Sequence, residues 1–388
     1  MSRVTRAVIN LTALRNNFNI VKQAAPLQKI MAVVKADAYG HGVARVAKAL
    51  SEVLSDDDAF AVASIDEAIM LRSIGITHSI IILEGFNSSS DLSLLQQHNL
   101  TTIVHHLSQL ILLELHTAEA RNLKVWLKID TGMHRLGFAA DDVKKMYQRL
   151  LGTGVDTEIN LMTHLANADD RQDNKSELQI DLFNSIVSGN PAETSLANSA
   201  GILAWPAAHG HWVRPGIMLY GVNPFYTKKK NVELIATADV EADIETEQEI
   251  KLENSLVPVM TLSASLIAVN NVLKGEAIGY GGTWTCPEDM SIGVVSIGYG
   301  DGYPRHAPTG TPVLVNGKRV PLVGRVSMDM IMVDLRQQPN AKVGDEVILW
   351  GDGLAVEEIS AAAGTIGYEL LCGITKRVTF QYTDEDLN

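Results

Sequence analysis

The first 220 residues repeat one pattern: a short apolar run suited to a buried strand, then a stretch whose apolar residues recur at helical spacing. Candidate strands cover 28–34, 59–64, 79–84, 100–105, 124–130, 157–163, 194–198 and 211–220, several of them almost free of polar interruption. Strands of that kind are covered on both faces, as in a parallel sheet flanked by helices. The intervening stretches read as helices. Val43, Val46, Ala47, Leu50 and Leu54 share one face, and 66–73 opens on Asp66 and Glu67, which suit a helix N-terminus. Eight βα units in this length predict an α/β fold built on a closed (β/α)8 TIM-like barrel; an open doubly wound sheet is the alternative.

After residue 226 the texture changes. The segment 227–256 carries Lys228, Lys229 and Lys230 and then a run of acids from Glu233 to Glu253, and reads as a solvated insertion at a domain junction. Beyond it, 257–269, 290–297, 311–323, 330–335 and 346–350 are short β-rich runs separated by Gly, Pro and Asn, with one helix over 356–363. Asn316-Gly317 marks a two-residue hairpin. The expected organisation is a barrel over 1–226, a charged junction over 227–256 and a mainly antiparallel β domain over 257–388. A chain of 388 residues exceeds one ordinary core, which agrees with two domains.

With 32 Lys+Arg against 45 Asp+Glu the formal net charge is −13. A surface that negative repels phosphodiester backbones and anionic lipid, so no nucleic acid and no membrane is expected as a partner. No apolar stretch approaches the roughly 20 residues that span a bilayer. Residues 1–22 are polar and lack the apolar centre of an export signal, so a cytoplasmic location is expected. Cys286 and Cys372 make neither a disulfide framework nor a zinc site, the histidines lack acidic partners at useful spacing, and no metal is expected.

Several strand ends carry chemistry. The run 30–34 stops abruptly at Lys35, and barrel sites form at the C-terminal ends of strands. Partial burial would leave that amine neutral and able to form a Schiff base with an aldehyde; a lysine merely reaching solvent is the plainer reading. Tyr39 follows beside Gly40 and Gly42, which let backbone approach a ligand. Lys128 and Arg135 flank the end of 124–130, where the planar fork of Arg135 suits a carboxylate, or else pairs with Asp130 or Asp141. His164 would either lie flat on a planar cofactor or sit hydrogen-bonded in the core. Ser199 with the amides of Gly216 and Ile217 could cradle a phosphate. Arg214 stays charged, so against a pyridine nitrogen it would donate a hydrogen bond and keep its proton. Tyr280 stands among Gly279, Gly281 and Gly282, either packing a hairpin or presenting a functional phenol. The glycines at 298, 300 and 302 imitate a dinucleotide loop, but their spacing is wrong and no βαβ unit follows.

Taken together and in this order, 32–42, 128–137, 212–221, 279–284, 324–334 and 365–372 resemble the alanine racemase family, pyridoxal 5′-phosphate enzymes with a barrel and a β domain. The resemblance implies that Lys35 holds the cofactor and that Tyr280 is a second catalytic base, reaching the site from the other subunit of a head-to-tail homodimer. Tyr39, Ser199, Gly216, Ile217 and Tyr368 match the family's phosphate contacts, Arg214 its pyridine-nitrogen partner and His164 its ring-flanking histidine. Arg135 and the Met328 amide match contacts to the substrate carboxylate, Tyr299 lies near the entrance, and Lys128 matches a position often carbamylated in relatives. The long acidic junction is the departure.

The activity implied is interconversion of L- and D-alanine by two bases on opposite faces, supplying D-alanine for cell-wall peptidoglycan or serving alanine catabolism. Bulk at Tyr280, Tyr299 and Met328 predicts alanine over larger amino acids. A broad-specificity amino-acid racemase would keep the bases and widen the pocket. A decarboxylase of the same plan would want an acid facing the pyridine nitrogen, where Arg214 stands. A non-catalytic cofactor-homeostasis protein would need Lys35 but neither Tyr280 nor a second domain.

Overall fold

Eight parallel strands close on themselves in the computed structural model, which describes residues 4–156, 158–225, 252 and 255–384. Around the ring run Lys29–Val33, Ala59–Val62, Ser79–Ile82, Thr101–Val104, Val125–Asp130, Asn160–Met162, Thr194–Ser195 and Trp212–Val213, with Trp212 back beside Lys29. Pairing of Thr102 with Val125 joins the two halves, so the closed barrel stands and the open sheet falls. Strand interiors such as Met31, Ala32, Phe60 and Ile81 are buried, as continuous apolar runs require. Helices return the chain between strands. Ile65–Ser73, for example, is capped by Ser64, whose hydroxyl accepts from the Glu67 amide.

A second, mainly antiparallel sheet follows. Met290–Val295, Ile331–Asp334, Lys318–Val323, Pro312–Val315, Glu346–Trp350 and Met260–Val272 are joined in that order, and Met260–Val272 also pairs with Met290–Val295. A bulge between Leu266 and Ala268 lets this long strand serve both neighbours. Asn316 and Gly317 have φ of 49° and 74°, the left-handed pair that a two-residue hairpin demands.

Three features differ from the sequence expectations. Arg6–Asn10, lying within the segment assigned to the barrel, pairs instead with Met260–Val272 and Thr379–Thr383 of the second sheet. Only Trp212–Val213 of 211–220 is strand, because Pro215 has no N–H for a ladder and Ile217–Tyr220 coils into a 3-10 turn. Gly367–Cys372 is a helix that apolar spacing over so few residues did not signal. Most of the acidic junction, 227–251 with 253 and 254, lies outside the described residues. Among those residues no helix is long and apolar enough to cross a membrane.

Candidate active site

The C-terminal ends of the barrel strands surround a cavity of about 660 Å³. Lys35 enters it two residues beyond the strand Lys29–Val33, Lys128 from within Val125–Asp130, and Arg214 directly after Trp212–Val213. Arg135, His164 and Tyr368 complete that wall. Tyr39, Ser199, Gly216 and Ile217 line it as well. From Lys35 the chain turns left-handed through four non-glycine residues, Ala36 to Tyr39, a conformation costing roughly 1–2 kcal/mol per residue.

One end of the cavity offers neutral donors around a close backbone approach. Ser199 Oγ accepts from the Gly216 amide at 2.9 Å and the Met218 amide at 3.3 Å, which leaves its own proton for an outside acceptor. A Cβ at Gly216 would meet the Tyr39 hydroxyl at 2.6 Å, so any larger residue would have to displace that hydroxyl. Burial raises the phenols of Tyr39 and Tyr368, the latter to about 12, and both remain O–H donors at neutral pH.

The cavity also gathers positive charge. Lys35, Lys128, Arg135 and Arg214 line the cavity with a single carboxylate, Glu84, in a chain whose net charge is −13. Arg214 is 5% exposed, and burial lowers its guanidinium to about 10, still charged at neutral pH. It donates to Ser195 Oγ at 2.5 Å, the Thr163 carbonyl at 2.6 Å and the Leu196 carbonyl at 3.0 Å. All three acceptors are neutral, so they fix the fork without cancelling its charge. Burial, Arg214, Arg135 and Lys35 lower the Lys128 amine to about 8. Burial and the same cations hold His164 well below the usual imidazole range, so its ring is uncharged. Arg135 has no ion pair among the described residues; Asp130 instead holds His134 at 3.0 Å.

Two family models match the chain: alanine racemase, N-terminal domain, over residues 9–224, and alanine racemase, C-terminal domain, over 259–382. The chain belongs to the alanine racemase family. An alanine racemase of Coxiella burnetii is 50% identical over 381 residues, covering 98% of this chain and 99% of that one. One of Pasteurella multocida is 47% identical over 97% of this chain and 98% of its own. Among solved structures, the biosynthetic alanine racemase from Pseudomonas aeruginosa superposes with a TM-score of 0.88 at 43% identity, covering 99% of this chain and all of that one (100%). The alanine racemase from Bartonella henselae, described with covalently bound pyridoxal phosphate, gives 0.83 at 27% identity over 98% of this chain and 99% of that one. Membership makes this chain an isomerase acting on amino acids.

Three residues singled out in the sequence do not line this cavity. Tyr280, in the turn after Ala277–Ile278, is 69% exposed, Met328 is 52% exposed and Tyr299 39%. The last two lie side by side on tied loops, with Tyr299 N donating to the Ser327 carbonyl at 3.1 Å and Gly300 N to Met328 O at 2.9 Å. Arg377 braces the same loops, meeting Asp301 at 3.3 Å and also pairing with Asp329. Conversely, Glu84, Asn87, His105 and Asn198 line the cavity, though the sequence reading assigned none of them to a site and weighed His105 only as a metal ligand. His105 and Asn198 close predicted strands, so strand-end position was the available signal. Burial keeps His105 below its ordinary pKa, and its Nε2 contacts the Glu84 carbonyl at 3.0 Å.

Proposed function

We propose that this chain interconverts L-alanine and D-alanine with pyridoxal 5′-phosphate at the barrel mouth, as a cytoplasmic homodimer whose sites are each completed by the second copy. The observation that carries the reading is the cavity's charge: four cations face one carboxylate in an acidic protein. Like charges brought together in a partly desolvated pocket call for an anion. The walls suit two. The hydroxyls of Tyr39, Ser199 and Tyr368 around Gly216 and Ile217 fit a phosphate, and the unpaired fork of Arg135 fits a carboxylate. Arg214 suits a pyridine nitrogen, to which it donates without surrendering a proton, and the uncharged His164 ring can cover a flat face.

The cofactor, when bound, supplies an electron sink for the pair left on the α-carbon. The chain does the rest. Lys35 Nζ moves a proton at one face of that carbon, and Tyr280 of the second copy moves one at the opposite face, so neither base has to travel around the substrate. Arg135 fixes the carboxylate, helped by the Met328 amide of the second copy, since Met328 does not line the cavity of its own chain. Presented by the second copy, Tyr299 and Met328 would leave space for little beyond a methyl. D-alanine made this way would serve peptidoglycan synthesis; run in reverse, the reaction would serve alanine catabolism.

The wild-type protein, loaded with cofactor, is expected to form D-alanine from L-alanine with kcat/KM at least about 100-fold above L-lysine or L-arginine. Comparable values for the larger amino acids would favour a broad-specificity racemase. Absence of racemisation with any of them would favour the non-catalytic carrier.

Lys128 fits the carbamylated lysine of the family. An amine lowered to about 8 is partly neutral at pH 8 and can attack carbon dioxide, forming an N–C bond and releasing one proton. The product would be an anion able to orient Arg135. Protein equilibrated with ¹³C-labelled bicarbonate should give a carbamate carbon resonance that Lys128→Ala loses, and the variant's KM for alanine should rise about tenfold. No resonance and an unchanged KM would refute the assignment.

A further inference from the structure

The strained turn between Lys35 and Tyr39 needs a physical account. Ala36, Asp37, Ala38 and Tyr39 have φ of 52°, 53°, 56° and 52°, and none is glycine. Such a run persists only where its surroundings over-determine it. Glu67 holds one end: its Oε1 accepts from the Ala36 amide at 2.7 Å, and its Oε2 from the Ala63 amide, also at 2.7 Å. The carboxylate therefore ties the residue after Lys35 to the end of the next barrel strand.

His41 holds the other end. It is fully buried, and its Nδ1 lies 3.0 Å from the Ala38 carbonyl and 2.9 Å from the Tyr39 carbonyl. Both partners are acceptors only, so Nδ1 carries the proton and donates to both. Burial keeps the ring neutral, with a pKa of about 4, and its Nε2 has no hydrogen-bond partner among the described residues. Its ring stacks on Tyr220 at 4.6 Å, and Tyr220 stacks on Tyr39 at 4.8 Å. Tyr220 in turn donates to the Val33 carbonyl at 3.0 Å, two residues before Lys35. These contacts of His41 reach the turn or its neighbours, and His41 itself does not line the cavity.

We propose that His41 and Glu67 are positioning residues that clamp this left-handed turn, fixing the Lys35 amine and the Tyr39 hydroxyl relative to one another. The proposal rests on the reading above, in which Lys35 and Tyr39 hold the cofactor. One strained element then sets both anchor points, and loosening either clamp separates them without touching either side chain.

The test is binding of pyridoxal 5′-phosphate to the full-length apoprotein, followed by absorbance, with hydrogen exchange at amides 36–41. His41→Leu should weaken binding about tenfold or more, the worth of a lost buried hydrogen bond, and speed exchange in the turn. His41→Asn, whose amide N–H can stand where Nδ1–H stands, should recover most of the affinity. In a Tyr39→Phe background the cost of His41→Leu should shrink to less than about twofold, because His41 acts through Tyr39. Equal cost in both backgrounds, or Asn as poor as Leu, would overturn the proposal. Should His41→Leu not fold, Glu67→Gln carries the test, since it removes one of two bonds and keeps the shape. A wild type that binds no cofactor would refute the reading of the site and this proposal with it, an outcome distinct from variants that bind as tightly as wild type.

Discussion

Lys35→Ala is expected to lower racemisation at least about 10⁴-fold in kcat/KM while leaving the fold intact or slightly firmer in the apoprotein. On the proposed reading, the activity loss follows from removing both the cofactor's covalent anchor and one of two bases. The stability expectation has a separate origin. Lys35 lies two residues past a strand whose packing is carried by Ile30, Met31, Ala32 and Val33, all buried, and its own side chain lines the cavity, so its truncation opens no core cavity. It does remove one of four cations lining a single cavity, and Lys35 is among the charges that lower the Lys128 amine. An unchanged or raised melting temperature beside lost activity is the signature of a group held for function. Initial rates of D-alanine formation and thermal melts of the apoprotein check both halves. Activity within tenfold of wild type would refute the role, and a large drop in melting temperature would show that Lys35 supports the barrel.

The barrel was legible because burial on both faces forces unbroken apolar runs, and the hairpin at Asn316-Gly317 because its backbone admits few residues. Glu346–Trp350 and Val356–Ala363 appear with the expected bounds. Arg6–Asn10 escaped because alternation reports a strand's faces and not which sheet it joins; its partners lie more than 250 residues away. The cavity residues were legible where a charged or hydroxyl side chain interrupts the end of an apolar strand, as at Lys35, Lys128 and Arg214. The clamps were not. Glu67 read as a helix N-terminal acid, which it is, but its bonds to the Ala36 and Ala63 amides depend on two strand ends meeting in space. Nor does Ala-Asp-Ala-Tyr announce a left-handed turn, since the glycines that would signal one come after it.

Tyr280→Phe, about 10²-fold or more below wild type alone, and Lys35→Ala, at least about 10⁴-fold below, are expected to restore activity when combined in one dimer. Tyr280 is highly exposed and does not line the cavity of its own chain, so the proposed reading has its phenol act in the cavity of a second copy. Loss of one exposed hydroxyl leaves stability within about 0.5 kcal/mol, which makes the variant a clean probe of chemistry. In a two-fold symmetric dimer with shared sites, pairing the two variants creates one site with both lesions and one with neither. Heterodimers isolated through two different tags should therefore reach about half the wild-type kcat per dimer, with KM unchanged, since the intact site has every contact. If instead Lys35 and Tyr280 of the same chain served one site, each site of the heterodimer would carry one lesion and the mixture would stay as poor as its parents. A restored rate with altered KM would point to loops such as 298–302 and 327–330 moving between subunits; a dead heterodimer would refute the shared site altogether.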